Sequence, residues 1–282
     1  MREIVRDAMP PAVYRLLNRV LRKSVGGLSG RFGSWQQALA HGTAYDEAAI
    51  LERVLEATRK VERGEAVFER DSVTFARADF PFPALAALLR TSLWTGGRLT
   101  VLDFGGSLGS SYRQCRSFLS PLHALCWCVV EQPHYVARGK ELFETDELRF
   151  FETIDGCLAQ HTPDIVLFSG VLQYLPDPYL VLQRVVAAGI RALLIDRTPF
   201  GAMADDIITL QTVPPHIYPA KLPFRIFAKA HLEGAIGPAY TCIAPFTALD
   251  PDMALDGMPV HFGGWLFERN RVAEEGSWLT KS

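Results

Sequence analysis

The sequence lacks a membrane-length apolar run: no stretch reaches the ~18 residues that a spanning helix needs. It also lacks the continuous apolar segment of a secretory leader near its start. Charge of one sign is missing as well. The 29 Lys and Arg against 31 Asp and Glu leave a net charge of −2. No global basic field therefore argues for nucleic acid, and none is expected as a partner. Cysteine is sparse and odd in number: Cys115, Cys126, Cys128, Cys157 and Cys242, with no Cys-x-x-Cys pair. That argues against a disulfide framework and for a reduced, cytoplasmic setting. Cys126 and Cys128 flank Trp127 and read as small buried hydrophobes of a strand. No group has metal-ligand spacing, so no metal is expected. What remains is 282 residues, 49% of them apolar, enough for one large α/β domain with an extension or for two small domains.

The most informative stretch is Leu99-Thr-Val-Leu-Asp-Phe-Gly-Gly-Ser-Leu-Gly-Ser-Ser111. A short apolar run ends in an acid, three glycines follow, and a helix begins at Ser110 or Ser111. Strand, acid, glycine turn and helix open a doubly wound α/β domain, whose ligand lies over the carboxyl ends of the strands. No Lys follows the glycines, which speaks against a phosphate loop. The Gly-x-Gly-x-x-Gly pattern of dinucleotide sites is broken in either register, by Ser107 and Ser110 or by Leu108 and Ser111. A nucleoside ligand without a pyrophosphate remains. For such a ligand the glycines allow close backbone approach, and the acid is free to meet an ammonium or a hydroxyl.

Along the chain, residues 10–23 predict a basic amphipathic helix. Val13, Leu16, Leu17, Val20 and Leu21 share one face, and Arg15, Arg19, Arg22 and Lys23 lie away from it. Such a helix either lies on an anionic membrane surface or packs on the domain or on a second subunit. Peripheral membrane contact and a homo-oligomer are the matching partner expectations. Gly26, Gly27, Gly30 and Gly33 predict a flexible break, and helices follow at 35–40, 46–63 and 83–93. Residues 1–95 thus read as a helical extension or cap over the cleft, 96–270 as the α/β domain and 271–282 as a tail. Strands are predicted at 99–102, 125–130, 148–152, 163–169 and 191–196, alternating with helices as in a parallel sheet. Two closing strands are predicted at 239–246 and 261–268, joined by an ordinary loop. Glu131 ends the second strand, where an acid pairs with ribose hydroxyls in nucleoside-binding α/β folds. Residues 201–235 read as an acceptor-side insertion, with a stiff extended loop carrying Pro214, Pro215, Pro219 and Pro223. His216 and Tyr218 lie in it as acceptor-side candidates.

Asp103-x-Gly-x-x-x-Gly109 resembles motif I of the class I S-adenosylmethionine-dependent methyltransferases, whose usual form has a further glycine where Ser107 stands. Residues 164–178 resemble their motif IV, a strand followed by a Val-Leu-x-x-Leu-x-Asp-Pro type of loop. Together with Val-Val-Glu-Gln132 and Ile-Asp-Arg-Thr-Pro-Phe200, these segments are similar to one bacterial subgroup of methyltransferases, over about residues 35–268. That subgroup is often associated with surface-glycan gene neighbourhoods. The resemblance implies a doubly wound, mostly parallel seven-stranded sheet, S-adenosylmethionine as cofactor, and a small or glycan-like acceptor. It assigns Asp103 to the methionine ammonium side, Gly105, Gly106 and Gly109 to close approach, Glu131 to the ribose and Glu152 to the adenine side. Ser169 and Gly170 then border the methyl end. His216, and after it Tyr174, are the base candidates, and Arg197 would anchor an anionic acceptor group or pair with Asp196 or Asp177. Two other readings stand beside this one: a non-catalytic relative that binds the nucleoside or a protein partner, and a nicotinamide-dependent sugar-modifying enzyme.

Overall fold

The computed structural model describes residues 27–43, 47–70, 72–214 and 220–270. The helix expected at 10–23, the tail at 271–282 and the loop residues His216 and Tyr218 lie outside the described residues. In chain order the elements are β1 (Gly27–Phe32), α1 (Trp35–His41), α2 (Glu47–Glu62), β2 (Phe68–Arg70), β3 (Val73–Phe75) and α3 (Phe82–Trp94). Then come β4 (Arg98–Phe104), α4 (Ser110–Leu119), β5 (Ala124–Val130), α5 (Pro133–Leu142), β6 (Leu148–Phe151), α6 (Ile154–Leu158), β7 (Ile165–Ser169) and α7 (Pro178–Ala187). The chain continues with β8 (Ala192–Gly201), β9 (Ile207–Val213), β10 (Ala220–Ile226), α8 (Lys229–Ile236), β11 (Tyr240–Thr247), β12 (Met253–Leu255) and β13 (Met258–Arg269).

Apolar residues on both faces of the same strands decide the architecture. Val101, Trp127, Leu167 and Leu194 pack on one face with residues of α3, α4 and α5. Leu102, Cys128, Val166 and Ile195 pack on the other with residues of α6, α7 and α8. Strands buried on both sides in this way form a doubly wound sheet. Its order is β11-β13-β8-β7-β4-β5-β6, with short β12 beside β13. β8, β7, β4, β5 and β6 pair in parallel, and β13 runs antiparallel to both β8 and β11. The fold is therefore the mostly parallel, Rossmann-like α/β sheet expected. Asp177 caps α7 by accepting from the Leu180 amide, and Pro178 takes its first turn, which gives the Asp-Pro pair a local structural task. Among the described residues, no helix is long and apolar enough to cross a membrane.

Three segments differ from expectation. The glycine-rich start is not a break: Gly27–Phe32 is strand β1, paired antiparallel with β9. The proline-rich insertion is not an extended loop over most of its length, because β9 and β10 form an antiparallel ladder. Pro223 is tolerated there because β10 is an edge strand of the β1-β9-β10 sheet, where a missing N–H can face away from the ladder. A small hairpin, β2–β3, interrupts the region read as mainly helical.

The bulge of β13 between Gly263 and Trp265 tests how tightly the sheet is packed. A Cβ on Gly264 would run into the Ile195 carbonyl oxygen and the Phe246 ring, neither of which is a flexible chain end. Gly264→Ala is expected to lower stability by about 1–3 kcal/mol in denaturant unfolding. Gly234→Ala, in α8 with no neighbour within 4 Å of the added Cβ, is expected to raise it by about 0.5–1 kcal/mol.

Candidate functional site

The tip of β4 is shaped by its own sequence. Gly105, at φ +73°, turns the chain away from the sheet while its N–H donates to the Val130 carbonyl of β5 (2.9 Å). A side chain at Gly105 would collide with Val171. Gly106 lies directly against the Asp103 carboxyl, so any Cβ there would sit on it. Ser107 has φ +54°, the left-handed conformation that glycine adopts freely. This accounts for the glycine usual at that point of the motif. The Ser107 amide faces the Glu131 carboxylate. Gly109, at φ +91°, precedes the first turn of α4.

Asp103 is 1% exposed, and Trp127 Nε1 donates to its Oδ2 at 2.9 Å. Burial pushes its pKa up to about 7, the Trp127 hydrogen bond opposes the rise, and the nearby Glu131 charge adds to it. Glu131 follows β5, and its Oε2 accepts from the Gln132 amide at 2.6 Å. Burial raises its pKa, against the two backbone amides of Gln132 and Ser107. The same construction recurs on β8. Asp196 is 7% exposed, its Oδ1 accepts from the Arg197 amide (2.7 Å), and burial raises its pKa to about 6.

These tips meet at the point where the strand order reverses: β5 and β6 lie on one side of β4, β7 and β8 on the other. Such a reversal opens a crevice at the carboxyl edge of a doubly wound sheet. Here it is a hollow of about 260 Å³ lined on the sheet side by Asp103, Gly105, Gly106, Ser107, Glu131, Ser169, Asp196 and Arg197. The facing wall carries Ile50 and Val54 of α2, Glu69 and Arg70 of β2, and Thr247, Ala248 and Leu249. Glu69 is buried and accepts from the Ser110 hydroxyl. Arg197, a non-glycine residue at φ +53°, sends its guanidinium to Asp250 through two nitrogens (3.0 and 3.1 Å).

Asp103, Gly105, Gly106, Glu131, Ser169 and Arg197 thus share one hollow. Gly170 (φ +69°) lies just behind it, facing the Arg197 guanidinium, and Gly109 stands at the start of α4. Glu152 is exposed beyond β6 and is not part of the lining; Gln132 and Tyr135 line the hollow beside Glu131. Tyr174 also lies off the lining. Its hydroxyl meets Gln211 Oε1 at 2.7 Å and its ring packs against Phe224, both on the β9–β10 hairpin. The Arg197 guanidinium pairs with Asp250, while Asp196 accepts from the Arg197 backbone amide and feels the charges of Arg197 and Arg70, and Asp177 caps α7. Sequence reasoning missed Glu69, Arg70, Asp196 and Asp250 as site residues. Asp196 had a usable signal, an acid closing an apolar strand as Asp103 does. The others reach the site only through distant chain segments.

No protein-family model and no curated protein matches this chain. Several solved structures are similar to it. The N-terminal domain of EvdMO1, in the presence of SAH and D-fucose, aligns with a TM-score of 0.45 and 18% identity over 80% of this chain and 98% of that one. An S-adenosylmethionine-dependent methyltransferase from Clostridium acetobutylicum aligns at 0.45 and 10% identity, over 78% of this chain and 98% of that one. The 1,6-didemethyltoxoflavin-N1-methyltransferase of Burkholderia thailandensis aligns at 0.38 and 15%, over 81% and 91%. Identities of 10–18% leave activity to be read from the site itself.

The raised pKa of Asp103 has a measurable consequence. Its native carboxyl holds a proton from its unfolded pKa near 4 up to about 7, so unfolding releases that proton and stability falls as pH rises through this window. In Asp103→Asn this contribution is gone. The ligand-free variant is expected to gain on wild type as pH goes from 4 to 8, by an amount on the order of a few kcal/mol. Unfolding midpoints across buffers of matched ionic strength check this.

Proposed function

We propose that the chain is an S-adenosylmethionine-dependent methyltransferase acting on a small or glycan-like acceptor. One observation carries the reading: the carboxyls of Asp103 and Glu131, at neighbouring strand tips, face a single hollow beside a backbone stripped of side chains at Gly105 and Gly106. The charge of that hollow separates the ligand classes. At the strand tips a pyrophosphate would lie against the Glu131 carboxylate and a buried Asp103, away from Arg70 and Arg197, and like charges at close range repel. A ligand bearing an ammonium, a sulfonium and ribose hydroxyls matches the same surface.

The cofactor supplies a methyl group already activated by the positive sulfur. The protein's part is alignment. Glu131, oriented by two backbone amides, would accept from the ribose hydroxyls. Asp103, with one oxygen fixed by Trp127, would meet the methionine ammonium. Gly106 keeps the space in front of it clear. Ser169 and Gly170 would border the reactive end. Glu69 and Arg70 on the facing wall and Asp196 on the sheet side offer polar groups suited to a hydroxyl-rich acceptor. Asp196, with its pKa raised to about 6, is the lining group suited to take a proton from an acceptor hydroxyl near neutral pH. His216 and Tyr218 belong to the same proposal as acceptor-side groups, His216 as a further base candidate, and Arg197 as an anchor for an acidic acceptor.

Isothermal titration with S-adenosylhomocysteine is expected to show saturable binding to the wild-type chain and none with NADH. Glu131→Ala and Asp103→Ala should each weaken binding at least tenfold, about 1.4 kcal/mol. NADH binding in place of the nucleoside, or unchanged affinity in Glu131→Ala, overturns the reading.

A further inference from the structure

Away from the hollow, the fold assembles a cluster that sequence spacing did not reveal. Cys126 and Cys128 stand two residues apart on β5, so both side chains leave the same face of the sheet, opposite to Trp127. Over that face lies α6, which contributes Cys157, and the chain continues for one more turn: the His161 amide donates to the Cys157 carbonyl at 2.8 Å. His161 thereby arrives beside the strand, its ring edge against Phe151. Cys126 Sγ is 3.7 Å from Cys128 Sγ and 3.6 Å from His161 Nδ1. The three donor atoms all lie within 4.8 Å of one another. Cys157, a free thiol buried in the same apolar cluster, lies next to Cys128.

These separations carry chemical information. A tetrahedral zinc ion holds sulfur at about 2.3 Å and imidazole nitrogen at about 2.0–2.1 Å, which sets donor-to-donor edges of about 3.8 Å for sulfur–sulfur and about 3.6 Å for sulfur–nitrogen. The observed 3.7 and 3.6 Å match those edges. Two thiolates and an imidazole are soft donors that select zinc over magnesium or calcium. Cys126 and His161 are both partly exposed, so an ion has a route in, while Cys128 and Cys157 are buried.

We propose that Cys126, Cys128 and His161 bind a zinc ion, with solvent in the fourth position. The ion would tie β5 to the turn that follows α6. None of these residues lines the hollow at the strand tips, so the site is structural and independent of the methyl-transfer reading. Loading replaces thiol protons by the metal, so protons are released to solvent as it binds.

The test uses the full chain, reduced and stripped with a chelator, then titrated with cobalt(II) and afterwards with zinc. The expected result is one cobalt per chain, with thiolate-to-cobalt charge-transfer absorption and the intense visible bands of a tetrahedral site, displaced by one equivalent of zinc. Cys126→Ser and His161→Ala should each lose at least tenfold in affinity, while Cys242→Ser, at an exposed cysteine elsewhere, should not. A weak octahedral spectrum, or binding untouched by Cys126→Ser and His161→Ala, overturns the proposal. Should those variants fail to fold, the wild-type chain still decides. Zinc must then slow alkylation of Cys126 relative to Cys242, as read by mass spectrometry of the peptides, and equal slowing or none refutes the site.

Discussion

A carboxyl group kept out of water at the end of β4 is the constraint around which the site is built. Asp103 has almost no exposure, and removing a carboxylate from water is costly unless something compensates. One compensation is the indole N–H of Trp127, delivered from β5 by the parallel register that sets Val101 opposite Trp127. The glycine at position 106 is a second consequence, since the carboxyl occupies the space a side chain would need. The left-handed Ser107 in the same turn serves the neighbouring acid instead, aiming its amide at Glu131. Removing the acid would take away the reason for the Trp127 hydrogen bond and for glycine at position 106.

A buried acid at a strand tip also illustrates why sites and stability conflict. Burial holds Asp103 and Asp196 near neutrality in their titration, at about 7 and about 6. Groups so perturbed and grouped in a cleft are typical of functional positions. The protein tolerates them because the strands beneath are apolar on both faces.

What could be read directly from the sequence was whatever depends on neighbours along the chain. The β4 strand, its closing acid, the glycine turn and the start of α4 form one continuous pattern, and Glu131 closes the next strand in the same manner. Pairing across long separations was not legible. Gly27–Phe32 looked like a break because its glycines say nothing about β9, the partner that orders them. Glu69 and Asp250 belong to no local motif, yet one accepts from Ser110 and the other holds Arg197. Tyr174 was drawn off the lining by the hairpin that carries Gln211 and Phe224. His161 was invisible as a partner of Cys126 because an extra turn after α6, not a ligand spacing, brings it there.

The pairing of β1 with β9 bears on the order in which the molecule is made. Ser29 accepts from the Thr209 hydroxyl across a separation of 180 residues. On a growing chain the first strand therefore emerges long before its partner, while the parallel core strands from β4 to β8 meet much nearer neighbours. Closing so long a loop is entropically expensive and slow compared with local pairing. The three-stranded sheet is thus a late event in biogenesis, and until β9 arrives the backbone N–H and C=O groups of β1 are free to pair with other strands.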